Sequence, residues 1–228
     1  MEHQKLVKTA RLTGVWYLLL AISGVLGFLI FHPQIFVSND PQKTLSNLSA
    51  LESTARIRLL LELLIIASQA LAAVWFYKLF KNLMSWAALA IFGWGLMNAA
   101  AIMVSAISMH TAIEIATAAT PAAEEKVLII QLLSGISANA WSVGGLFFGL
   151  WLIPMGYIVI QSKCMPAWLG WTLIIGAAGY ILSTFISSLG FSHTYLGLLT
   201  VPATIGEFWM IGYLLIFGIR PVGVVQSE

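Results

Sequence analysis

Charge is scarce in this sequence. Only 9% of its 228 residues are charged, against ~25% in an average soluble domain. Eleven basic and nine acidic side chains cannot furnish the hydrated shell of a soluble domain this size, nor the basic face of a nucleic-acid binder. Cys164 is the single cysteine, which excludes an intrachain disulfide and a cysteine-based zinc site. No Walker A loop and no GxGxxG occurs, so no phosphate or dinucleotide loop is indicated. Gly135-Ile136-Ser137-Ala138-Asn139 lacks the second glycine of a nucleophile elbow. No HExxH occurs, and no lysine lies deep inside an apolar run to carry a Schiff base. Neither a cofactor nor a metal is expected, and covalent catalysis is not.

Apolar length is abundant: 60% of residues are hydrophobic. A bilayer core ~30 Å thick is crossed by roughly 20 apolar residues in a helix. Six such runs occur, at about residues 12–31, 57–80, 83–109, 127–160, 167–189 and 196–219. None alternates apolar with polar, which argues against a barrel. The expected fold is all-α: a polytopic bundle of six transmembrane helices forming a single membrane domain over residues 1–228. Lys5, Lys8 and Arg11 precede the first run, which is too long for a signal peptide's apolar region and is read as a retained helix.

Seven basic residues, Lys5, Lys8, Arg11, Lys78, Lys81, Lys163 and Arg220, fall on one side of this map. Lys43, Arg56, Arg58 and Lys126 fall on the other. The bias places both termini in the cytoplasm of a multi-pass protein of the inner (plasma) membrane. On the outer side, Asp40-Pro41 reads as a helix start. Leu45, Leu48 and Leu51 then give a narrow apolar stripe, so residues 41–54 are expected to form a short outer interfacial helix. The fourth run is too long for one perpendicular span, so it either protrudes or bends near Gly144-Gly145 or Pro154. Gly145, Gly149, Gly176 and Gly179 suit close helix–helix approach.

An ionisable group in hydrocarbon costs ~2.5–3.5 kcal/mol or more and demands an explanation. Glu207 lies near the middle of the sixth run. Glu62 lies one and a half turns into the second, with Arg58 four residues earlier on the same face. Gln69 follows on that face, and Asn98 lies in the third run. Two readings are open. In one, Arg58, Glu62, Gln69, Asn98 and Glu207 line a polar, outward-facing ligand pocket, with Pro202 breaking the sixth helix beside it. In the other they form a structural knot that fixes helix register. His32, His110 and His193 sit at the outer boundary, with Glu114 one turn after His110, and are read as interface residues.

Thr9-Ala10-Arg11-Leu12-Thr13-Gly14, Arg58 at the second helix, Phe147-Phe148-Gly149-Leu150, Gly156-Tyr157, Pro166-Ala167-Trp168-Leu169-Gly170 and Pro202-Ala203-Thr204-Ile205-Gly206-Glu207 follow in order. In order and spacing the chain resembles the bacterial domain-of-unknown-function family 4386 over nearly its whole length. The resemblance implies a six-helix bundle and polar positions at Arg58 and Glu207, and no activity. The expected function is binding of a small or lipidic ligand, or of a membrane-protein partner, from the outer side of the lipid bilayer. The rivals are an intramembrane enzyme using Glu207 or Glu62 as acid or base, and a structural subunit of a larger membrane complex.

Overall fold

The structure is a computed structural model that describes residues 2–191 and 194–221. Helix α1 (Glu2–Val25) runs through a π-helical segment (Leu26–Phe31) into the short α2 (His32–Ile35). Then follow α3 (Pro41–Ala50), α4 (Glu52–Phe80), α5 (Ser85–Thr117), α6 (Ala123–Ser162), α7 (Ala167–Ser188), a 3-10 segment (Thr194–Thr200) and α8 (Val201–Ile216). Among the described residues six helices are long and apolar enough to cross a membrane: His3–Ile35, Glu52–Phe80, Ser85–Thr117, Ala123–Ser162, Ala167–Ser188 and Tyr195–Ile216. The protein is an all-helical, polytopic membrane protein, and among the described residues no strand occurs.

Helix ends differ from the apolar runs for local reasons. Asp40 Oδ1 accepts the Lys43 backbone N–H at 2.8 Å and Pro41 opens the first turn, so α3 starts where its cap dictates. It stops at Ala50, earlier than the expected residue 54. Glu52 begins α4, where its charge favours a helix N-terminus and pairs with Arg56 at 2.7 Å. The fourth run is one uninterrupted helix of 40 residues with Pro154 inside it. The sixth run begins as a 3-10 segment, and Pro202 falls in the first turn of α8, where a missing N–H breaks no intrahelical bond. The expected break at Pro202 is therefore a helix start.

The chain forms two compact units. One comprises residues 19–67 and 99–142. Its core joins Ile35, Leu48, Leu59, Met109, Ile113 and Ile130 from five helices. Three polar bonds strap α3 down: Val37 N–H donates to Thr44 Oγ1 (3.1 Å), Asn47 Nδ2 to Ile35 O (3.2 Å), and Ser49 Oγ to Ala116 O (3.0 Å). The helix expected on an interface thus buries Thr44 and Leu48 in protein.

The other unit comprises residues 1–18, 68–98 and 143–228. Here small residues bring backbones together. A Cβ at Gly176 would meet the Ala203 backbone, one at Gly179 the Leu199 carbonyl, and one at Gly149 the Ala177 carbonyl. Such close approach is how helices associate where lipid removes the hydrophobic incentive.

Candidate functional site

Spacing alone brings Arg58 and Glu62 to one face of α4. Arg58 Nη1 donates to Glu62 Oε2 at 3.0 Å, with the residues 1% and 0% exposed. A buried pair is favoured when its carboxylate oxygens are fully engaged. Glu62 Oε1 accepts the indole N–H of Trp141, on α6, at 3.0 Å. Both carboxylate oxygens are thus engaged.

The guanidinium carbon of Arg58 lies 4.7 Å from the centroid of the Phe28 ring. A desolvated cation over a ring is stabilised by ~2 kcal/mol. Phe28 belongs to the π-helical segment, a wider turn frequent at functional sites. Its ring meets Trp141 edge-on at 4.3 Å and 84°. His32 lies 5.6 Å from Phe28 and stacks on Phe36 at 4.8 Å. Arg58, Glu62, Trp141 and Phe28 are therefore one block, in which the ion pair holds two aromatic rings in place.

Beside that block is a cleft of about 860 Å³, lined by Phe28, His32, Phe36, the 37–41 loop with Thr44, and Gln131, Ser134, Gly135, Ser137, Ala138 and Trp141 of α6. Two polar atoms among these lining residues are buried with no hydrogen-bond partner, His32 Nδ1 and Ser134 Oγ. A third, Arg58 Nε, lies behind Phe28. Ser137 Oγ is already paired with Ser105 Oγ at 2.7 Å.

Of the residues singled out from sequence, Arg58 and Glu62 belong to this unit and Gln69, Asn98 and Glu207 to the other. None of the five lines the cleft. Arg58 and Glu62 stand behind two of its wall residues, Phe28 and Trp141. Glu207 Oε1 accepts from the Tyr17 hydroxyl at 2.6 Å, and the Tyr17 ring packs edge-on against Phe76 and Trp151. Gln69 is fully buried, and neither of its amide atoms has a hydrogen-bond partner. Asn98 is 4% exposed. His110 and Glu114 approach to 3.5 Å on an exposed face. His193 lies outside the described residues. Among the described residues no three His, Cys, Asp or Glu side chains converge on a metal position.

Sequence reasoning passed over Trp141, Phe28, Ser134 and Tyr17. The available signal was polar supply and demand. A tryptophan or tyrosine deep within an apolar run needs a partner for its N–H or O–H, and an intramembrane carboxylate needs donors.

The family model described as Domain of unknown function (DUF4386) matches residues 12–218. The chain belongs to this family. A protein of Archaeoglobus fulgidus described as an uncharacterized protein is 31% identical over 74 residues, covering 30% of this chain and 43% of that protein. The chain thus matches less than half the length of this curated relative. No solved structure matches the chain. The family description carries no activity, so a functional reading rests on the site itself.

Proposed function

We propose that this membrane protein takes a neutral, lipid-like ligand, with an apolar body and a small hydrogen-bonding head, into the cleft of the first unit. The observation that carries the reading is the lining. Aromatic rings of Phe28, Phe36 and Trp141 share the cleft with two buried, unpartnered polar atoms, His32 Nδ1 and Ser134 Oγ. Buried polar atoms are normally paired, and an unpaired pair in an aromatic cleft suits a ligand head. The volume, about 860 Å³, suits a small amphipath, since ligand sites span ~300–1,000 Å³. Neutrality follows from charge. Among the described residues the only acid lining the cleft is Asp40, whose Oδ1 caps α3, and the Arg58 charge is balanced by Glu62. With both oxygens of Glu62 engaged, the pair supports the wall and performs no acid–base chemistry.

Gly135 offers a clean test. It lines the cleft, and a Cβ there meets nothing within 4 Å. Gly135→Leu should fill the cleft and leave the helix intact, since leucine is the better helix former. Native mass spectrometry in detergent would compare a monoacylglycerol with a lysophosphatidylglycerol of the same chain. Wild type should retain the neutral lipid preferentially and Gly135→Leu should not. Equal retention by both proteins would remove the cleft from the reading.

The proposed orientation places both termini in the cytoplasm of the plasma membrane, on the strength of seven of eleven basic residues. Single cysteines replacing Lys5, Ser46 and Lys163 test it. Labelling of position 46 from the cytoplasmic side would invert the map.

A further inference from the structure

The second unit has a cleft of its own, of about 450 Å³, lined by His3, Tyr213, Phe217, Ile219, Arg220 and Pro221. Its geometry follows from how α8 ends. Phe217 N–H and Gly218 N–H both donate to the Tyr213 carbonyl, at 2.9 and 3.1 Å. Gly218 has φ +73°, the left-handed conformation that glycine adopts to terminate helices. The chain reverses there, and the Arg220 N–H donates to the Cys164 carbonyl at 2.9 Å, in the turn between α6 and α7. Arg220 is thereby brought back beneath the last turn of α8, where its Nε donates to the Tyr213 hydroxyl at 3.1 Å.

Pinning Nε leaves the two terminal nitrogens of the fork, and no described residue accepts from them. Among the described residues no acidic side chain lines the cleft. Arg11, on α1, is engaged elsewhere, with Nη2 on the Ile216 carbonyl at 3.4 Å. Lys5 and Lys8 on α1, and Lys163 beside Cys164, add positive charge in the same unit. A guanidinium held by one edge presents the other to a planar or tetrahedral oxyanion in bidentate fashion. The setting selects the oxyanion. Arg220 lies four residues past the last residue of a membrane span, Ile216, which is headgroup depth, and the Tyr213 and Phe217 rings flank it as interfacial aromatics do.

We propose that this cleft is a phosphate-binding site, with Arg220 as the ligating fork, Tyr213 as the residue that positions it and His3 at the mouth. The phosphate chemistry is common to an anionic phospholipid headgroup and to a free phosphate. The depth and the apolar walls favour the headgroup, and the Arg220 charge disfavours headgroups that carry an ammonium.

The test is thermal unfolding of the full chain in neutral detergent, titrated separately with phosphatidylglycerol, phosphatidylcholine and inorganic phosphate. Wild type should gain stability with phosphatidylglycerol and little with phosphatidylcholine. Arg220→Gln should weaken the apparent affinity about tenfold or more, as expected for a lost charge-assisted fork. Tyr213→Phe keeps every charge and frees the fork, and should weaken it several-fold. Lys78→Gln and Lys81→Gln, whose side chains lie over Trp75 and Tyr77, should leave it within about twofold, because exposed charges outside the cleft contribute little. Equal stabilisation by inorganic phosphate, lost in Arg220→Gln, would support the site with free phosphate as its ligand. No stabilisation by either phosphate source, or stabilisation that survives Arg220→Gln and Tyr213→Phe unchanged, would overturn it.

Discussion

Trp141 donates its indole N–H to Glu62 at 3.0 Å across 79 positions of sequence. One oxygen of that carboxylate neutralises Arg58 and the other orients an aromatic wall of the cleft. The intramembrane ion pair and the cleft are therefore a single construction, with the charge on its inner side and the rings on its outer side.

Arg58 is the element on which this block turns. Arg58→Ala vacates the volume under Phe28 and leaves Glu62 buried without its cation, which should cost ~3–5 kcal/mol. Glu62→Gln is isosteric and retains an oxygen that can accept from the guanidinium, so its loss should be smaller. Replacing both by apolar residues of similar size, Arg58→Met with Glu62→Leu, should recover most of the Arg58→Ala loss, because no unpaired charge remains. Thermal unfolding in detergent ranks the three. Equal losses for the two single variants would mean the block is not organised around Arg58.

Glu207 depends on Tyr17 in the second unit. Tyr17→Phe leaves the ring contacts with Phe76 and Trp151 in place and removes the donor 2.6 Å from Glu207. The expected cost is ~1–3 kcal/mol. Glu207→Gln keeps an acceptor for the hydroxyl and should cost less. Chemical unfolding in mixed micelles separates the two.

The contact between α7 and the 3-10 segment permits no side chain at Gly179. A Cβ there runs into the Leu199 carbonyl, and backbone cannot move aside as a side chain can. Gly179→Ala should destabilise by ~1–3 kcal/mol, the usual cost of overpacking. Gly212, also helical, has nothing within 4 Å of a built Cβ. Gly212→Ala should be neutral or stabilising by up to ~1 kcal/mol from helix propensity. The melting temperature should fall for Gly179→Ala and hold or rise for Gly212→Ala.

The six spans and the Arg58–Glu62 pair were legible because both rest on local rules: apolar length against bilayer thickness, and i,i+4 spacing. The start of α3 at Asp40-Pro41 was legible for the same reason. Its end was not, because Glu52 serves better as the first residue of α4 than as the last turn of α3. Tyr17 and Glu207 are 190 positions apart, and their pairing depends on packing that no local pattern encodes. The cleft escaped because its wall is ordinary in composition. Phenylalanine on the π-helical segment and serine and glycine on α6 acquire meaning only when Glu62 fixes Trp141 between them.

Cys164 sits in the turn between α6 and α7, and burial pushes its thiol up to about 11. The folded protein thus holds this proton longer than the unfolded chain, whose thiol titrates near ~8.5. The contribution is intact below about pH 8.5 and is lost as pH rises toward about 11. Between pH 8 and 11 the melting temperature of wild type should fall more steeply than that of Cys164→Ala. Parallel curves would show that the thiol is not desolvated in the fold.

Photolabelling addresses the cleft itself. A diazirine-bearing monoacylglycerol, incubated with the protein in detergent and irradiated, should attach within residues 28–44 and 131–141. An excess of unlabelled monoacylglycerol should suppress that labelling, and Gly135→Leu should abolish it. Labelling spread evenly over the lipid-facing helices, insensitive to competitor and to Gly135→Leu, would contradict a ligand site at the cleft.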